Sequence, residues 1–197
     1  PKVPRGGLLN MGSVLKVTAD GFDTSPILRG AWISKNIAGN TLSPPPEEVE
    51  VIEPEHGKDA ATLRDQIEEH KKSQACYACH KSIDPYGFAL ESFDATGQWR
   101  AQYRIKKPHK ATFVYRPKGY FDLVGKVDPS GEIAREKFSD IFGLKKILLS
   151  NHKKIAYNFV KKFFEYANGY KPSLAQRLDL FAMIPEEPEQ CRMKDLI

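Results

Sequence analysis

Cysteine is scarce in this chain, with three among 197 residues. That excludes a disulfide scaffold, and the length is sufficient to bury a core without one. Long apolar runs are missing as well. Nothing approaches the ~20 residues that cross a bilayer, and the best stretch, around Ile147 to Leu149, is broken at once by Asn151, His152, Lys153 and Lys154. There is no second C-x-x-C, no H-x-x-x-H pair, no helix-turn-helix, zinc-finger pair or ribonucleoprotein aromatic motif, and no internal repeat. No basic, apolar, small-residue leader follows Pro1, and Leu196-Ile197 breaks off inside an amphipathic segment. Both ends read as cuts, and the chain is expected to be a piece of a longer protein.

What is present fits one ordinary domain or two small ones, with 41% hydrophobic and 28% charged residues. The net charge of +5 conceals an asymmetry. Residues 44–70 carry nine acids against two bases, and residues 101–171 sixteen bases against six acids. The basic half, with Tyr103, Phe113, Tyr115 and Tyr120 among its lysines, is open to a nucleic-acid reading. The plainer reading is that Lys145, Lys146, Lys153, Lys154, Lys161 and Lys162 form the solvated faces of helices, and no nucleic-acid partner is expected. A positive face also steers association with an acidic partner.

Along the chain, residues 1–24 hold short apolar pairs of ambiguous period. Ser25-Pro26 reads as an N-cap and first helical position, and the helix runs through Trp32 and Ile37 to stop at Gly39. The prolines and acids from 43 to 57 favour solvated polyproline II, a linker. Helical spacing returns from Lys58 to Lys72. Alternation in 99–104 and 112–115, punctuated by Gly119, Gly125 and Asp128-Pro129-Ser130-Gly131, predicts short strands. Two amphipathic helices follow, Phe138 to Leu149 and Lys153 to Tyr166, the second ended by Asn168-Gly169, and a short last helix starts at Ser173. The expected fold is mainly α with a small β insertion. Its divisions are an N-terminal segment at 1–43, a linker at 44–57, a domain at 58–134 and a C-terminal helical region at 135–197.

Cys76-Tyr77-Ala78-Cys79-His80 carries the chemistry. C-x-x-C-H is the attachment signature of a c-type haem. Two thiols three positions apart on a helix reach the two vinyl groups on one porphyrin edge, and the adjacent histidine falls under the iron. Competing readings share part of the motif. Zinc wants four ligands, and only Cys191 and scattered histidines remain to complete them. A thioredoxin-type pair follows a buried strand, whereas here a charged helix precedes. A plain disulfide or a chance occurrence is the last alternative.

The run from Ala75 to Arg100 resembles the haem-binding domain of the large planctomycete-type c-type cytochromes, multidomain bacterial proteins with domains of unknown function. So do Gly6-Gly7-Leu8-Leu9 with Gly12-Ser13-Val14-Leu15, Thr24-Ser25-Pro26 with Arg29-Gly30 and Trp32, and Pro44-Pro45-Pro46. The tail from Ile155-Ala156 to Tyr166-Ala167 resembles that family's C-terminal domain. The resemblance implies a cytochrome c-like helical haem domain, export, one covalently attached haem c and further domains before Pro1. It implies no reaction. Cys76 and Cys79 become the thioether attachments and His80 the proximal iron ligand.

The second axial ligand is open. Common cytochromes use a downstream methionine, but Met183 and Met193 lie near the C-terminus. Met11, between Asn10 and Gly12, is the first candidate, against a role as core filler. His70, six residues before Cys76, is the alternative distal ligand if its helix ends before it. His56, His109 and His152 sit in charged contexts, and a five-coordinate iron is the remaining option. Tyr86, Phe88, Leu90, Phe93 and Trp99 are expected as apolar walls around the haem, and each is equally readable as core. Ile83-Asp84-Pro85 is expected to turn the chain so that a backbone carbonyl accepts the His80 ring N–H. Arg29 and Arg100 are candidates to pair with the propionates. Cys191 is left over as a free or buried thiol.

These residues predict a monohaem electron-transfer module, passing electrons to a redox partner protein or to other domains of its parent chain. Two alternatives stand beside it: a peroxidase-like haem enzyme with an open distal site, and a binding or scaffold domain that haem stabilises. Thioethers form outside the bacterial cytoplasm, so the expected location is the periplasm or cell surface.

Overall fold

Caps, more than periodicity, decide where this chain turns helical. A computed structural model describes residues 6–19, 24–44, 62–72, 74–106 and 121–196. After a 3-10 turn at Leu8–Asn10 comes α1 (Gly12–Val17), the segment whose period was ambiguous. Helix α2 (Pro26–Asn36) starts as the sequence predicts, with the Ser25 hydroxyl accepting from the Leu28 amide and proline in the first turn. Helix α3 (Leu63–His70) opens on a capping box between Thr62 and Asp65. Of the helix expected from Lys58, residues 58–61 lie outside the described residues, as do the 112–115 alternation, His56, His109 and the linker beyond Pro44.

Helix α4 (Gln74–Phe88) is continuous through Pro85. The expected turn at Ile83-Asp84-Pro85 is therefore absent, because proline removes one amide and helix α2, packed alongside, holds the rest of the turn. Two antiparallel hairpins follow: β1 (Gln102–Lys106) with β2 (Phe121–Lys126), and β3 (Gly131–Ile133) with β4 (Glu136–Phe138). The second hairpin turns through Ala134 and Arg135, at φ of 50° and 72°, the primed geometry that strand twist favours. Phe138 was expected to open a helix. It ends β4 instead, and α5 (Ile141–Ser150) begins at Asp140, whose carboxylate accepts from the Phe142 and Gly143 amides. Helix α6 (His152–Asn168) ends on left-handed Gly169, and α7 (Leu174–Ala182) starts at a capping box between Ser173 and Gln176. The fold is mainly α with small β elements, as the sequence predicts.

Helices α2 and α4 run antiparallel, and two glycines set their separation. A Cβ on Gly30 would stand 2.1 Å from the Ile83 carbonyl oxygen, and one on Gly87 would stand 1.8 Å from that of Pro26. Backbone therefore meets backbone, and the Ser34 hydroxyl adds a bond to the Ser82 carbonyl at 3.0 Å. The main core packs Leu9, Leu15, Ile33, Leu90 and Phe93 against Ile141 and Leu144 of α5. Helix α5 thus completes the N-terminal core, while Ala156, Val160 and Ile184 form a smaller cluster around α6.

Candidate functional site

On α4, residues three and four apart share a face, so Cys76, Cys79 and His80 project into one sector. Both thiols are free and half-buried. His80 is buried, 9% exposed, and its Nδ1 lies 2.8 Å from Asp84 Oδ1, one helical turn on. The acceptor for the ring N–H is thus a carboxylate, and not the backbone carbonyl expected from the sequence. With Nδ1 donating to Asp84, Nε2 is the nitrogen left to meet a metal.

The Asp84 carboxylate is 1% exposed, and its second oxygen, Oδ2, has no hydrogen-bond partner. The nearest cation to it is Lys71, at 3.6 Å, whose ammonium also bonds Glu68 at 2.9 Å. Lys71 caps α3, and the residue before it, His70, presses its ring on that of His80 with centroids 5.3 Å apart and planes at 66°. The sequence offered two fates for His70, inside a continuing helix or beyond its end. His70 is the last residue of α3, and this end position lets its ring reach α4. Helix α3 is held by buried Ile67 and by Arg64, which lies 4.3 Å over the Phe88 ring and donates to the Asp128 and Ser130 carbonyls.

Other expected site residues have different occupations. Met11 stands half exposed at the head of α1. Arg29, expected to meet a propionate, is fully buried. It donates to the carbonyls of Leu90, Phe93 and Asp94 and to Glu91 Oε1 at 3.3 Å. Arg100, the other expected propionate partner, holds Glu91 Oε2 at 2.9 Å, the Glu91 carbonyl and the Thr24 hydroxyl. Both arginines turn inward for a physical reason: Glu91 is itself fully buried, and an enclosed carboxylate needs its counter-charges inside with it. Burial pushes the Arg29 guanidinium below its ordinary value, against the opposing pull of Glu91.

Of the expected walls, Tyr86, Leu90 and Phe93 belong to the main core, Phe88 is buried under Arg64, and Trp99 packs edge-on against Phe93 at 5.3 Å. Tyr86 also lines a cleft of about 1040 Å³ with Ala78, Lys81, Ser82, Arg135 and Lys154; Cys76, Cys79 and His80 are not in its lining. His152 bonds the Glu186 carbonyl, and Cys191 is half-buried against the Pro185 carbonyl, its thiol pushed up by burial. Among the described residues, no group of three His, Cys, Asp or Glu side chains is arranged to hold a bare metal ion, and no helix is long and apolar enough to cross a membrane.

The donor set fits a c-type haem: two unpaired thiols at the required spacing, an adjacent histidine whose far nitrogen is uncommitted, and a buried carboxylate to fix that ring. Sequence reading missed Asp84 and the Arg29–Glu91–Arg100 cluster. The first left a usable signal, since H-x-x-x-D within a helix puts both side chains on one face.

No curated protein and no solved structure matches the chain. One family model does, PSCyt3, described as "Protein of unknown function (DUF1588)", over residues 5–103, a stretch that encloses the C-x-x-C-H motif, Asp84 and the buried arginine cluster. That match spans half of the chain, and the chain belongs to this family, which is tied to the planctomycete-type cytochrome c domains.

Proposed function

We propose that this chain is a monohaem c-type cytochrome domain that carries electrons within or between exported proteins, in the periplasm or at the cell surface. The observation that carries the reading is the C-x-x-C-H face of α4 with its histidine pinned by Asp84. Cys76 and Cys79 would hold the porphyrin through thioethers and His80 would ligate the iron through Nε2. The group supplies a one-electron ferric/ferrous couple when bound. The chain's own contribution is to exclude water around His80, to fix its tautomer and to present the porphyrin edge from a half-exposed helix end.

For the second axial ligand, the ring contact supports His70 over Met11. The His70 ring already lies against that of His80, while Met11 stands half exposed at the head of α1.

The test is a denatured mass with oxidised and reduced optical spectra, on protein made with a cytochrome maturation system. A mass higher by one haem, absent from Cys76→Ser and Cys79→Ser, is expected, together with a sharp reduced α-band. A low-spin oxidised spectrum lacking the weak far-red methionine band is expected for His70. That band, lost in Met11→Ala, would restore Met11. A high-spin iron that binds cyanide quickly would favour the peroxidase-like alternative, and a haem-free mass would sink the cytochrome reading.

A further inference from the structure

We infer that Asp84 is a positioning residue that sets the reduction potential of the His80-ligated iron low, with Lys71 as its trimming counter-charge; this rests on the haem reading above. Three observations carry it. The His80 N–H is aimed at a carboxylate oxygen at 2.8 Å, inside a buried site. The other oxygen of that carboxylate is buried without any hydrogen bond to spread its charge. Among the described residues the cation that faces it is Lys71, 3.6 Å away and shared with Glu68.

A carboxylate differs from a carbonyl as an acceptor in carrying a full negative charge. It draws the ring proton toward itself, so Nε2 gains electron density and donates more strongly. Stronger donation, and a nearby anion in a weakly screening interior, both favour ferric over ferrous iron. Burial of the haem pushes the other way, because water exclusion favours the reduced form. The arrangement lets the protein keep a dry site and still hold a low potential. The domain then hands its electron onward to partners of higher potential, and so serves as a donor. Lys71 opposes Asp84: its ammonium on Oδ2 draws charge away from the His80 bond.

Asp84→Asn keeps the shape and an acceptor oxygen but removes the charge, and Lys71→Met removes the counter-charge and leaves the bond. Both are made as haem-loaded protein, and haem content by mass is read first. No haem in the wild type defeats the underlying reading, whatever the variants do. With haem in place, Asp84→Asn is expected to shift the ferric/ferrous equilibrium toward ferrous by tenfold or more, about 59 mV for a one-electron couple. Lys71→Met is expected to shift it the opposite way. The iron–histidine stretching band, recorded just after photolysis of bound carbon monoxide, should fall in Asp84→Asn. Equal potentials in wild type and Asp84→Asn, or an unmoved stretching band, overturn the inference. If Asp84→Asn fails to fold, Lys71→Met decides alone: a lower potential supports the inference and an unchanged or higher one refutes it.

Discussion

Two buried carboxylates lie seven residues apart at the end of α4 and just beyond it, and they are treated in opposite ways. Glu91 is enclosed on all sides: Arg29 and Arg100 hold one oxygen each, and the Thr24 hydroxyl adds a third bond. Asp84 has one hydrogen bond, to a histidine, and one distant lysine. A knot that gives both carboxylate oxygens a charged partner serves shape. A carboxylate left half satisfied keeps its charge available, and what it faces is the histidine proposed to ligate iron. Polar burial thus does two jobs in one domain, and the count of partners tells them apart.

The largest way to break this comparison is Glu91→Gln. It leaves two enclosed guanidiniums without their anion, and removing one partner of a buried pair costs about 3–5 kcal/mol. Denaturant unfolding should show that loss, while Asp84→Asn, whose partner Lys71 can still reach water, should lose only about 1–2 kcal/mol. Similar losses in both would erase the distinction. Next comes Gly87→Ala, which drives a methyl into the Pro26 carbonyl and should cost about 1–3 kcal/mol through separation of α2 and α4. Because that contact is far along α4 from Cys76, haem attachment should survive it at temperatures where the variant is folded.

The smallest effect is alkaline. Burial raises the phenols of Tyr86 and Tyr103 above their ordinary value, and Glu91 adds to the rise at Tyr103. A raised acid favours the native state while the group is neutral, so that stability is complete below about pH 10 and falls as pH climbs toward the folded values. Phenolate absorbance should show these two tyrosines ionising above the ordinary phenol range. Tyr86→Phe and Tyr103→Phe should each flatten the stability loss, and an unchanged slope in both would contradict the burial argument.

Local chemistry was legible in the sequence and long-range pairing was not. Ser25-Pro26, Asn168-Gly169 and Ser173 placed helix ends correctly because each cap acts within four residues. C-x-x-C-H announced its own face. Asp84 was misread because Asp-Pro ordinarily marks a turn, and only the packing of α2 shows that the helix runs on. The pairing of Arg29 and Arg100 with Glu91 was not legible because that partner lies 62 and 9 residues away, and nothing in a lone arginine announces a buried glutamate. The 5.3 Å meeting of His70 with His80 was within reach as a possibility, but depended on the residue at which α3 stops.

The backbone contact at Gly30 and Gly87, with the arginine knot beside it, has a consequence for the integrity of the chain. Both join residues 24–36 to residues 82–100, and the shared core adds Leu9, Leu15 and Ile33 from the same side. The two segments therefore hold each other through contacts of their own, independently of the peptide links that join them in sequence. Were a single backbone bond between them broken, the two pieces would stay together until the fold itself was undone.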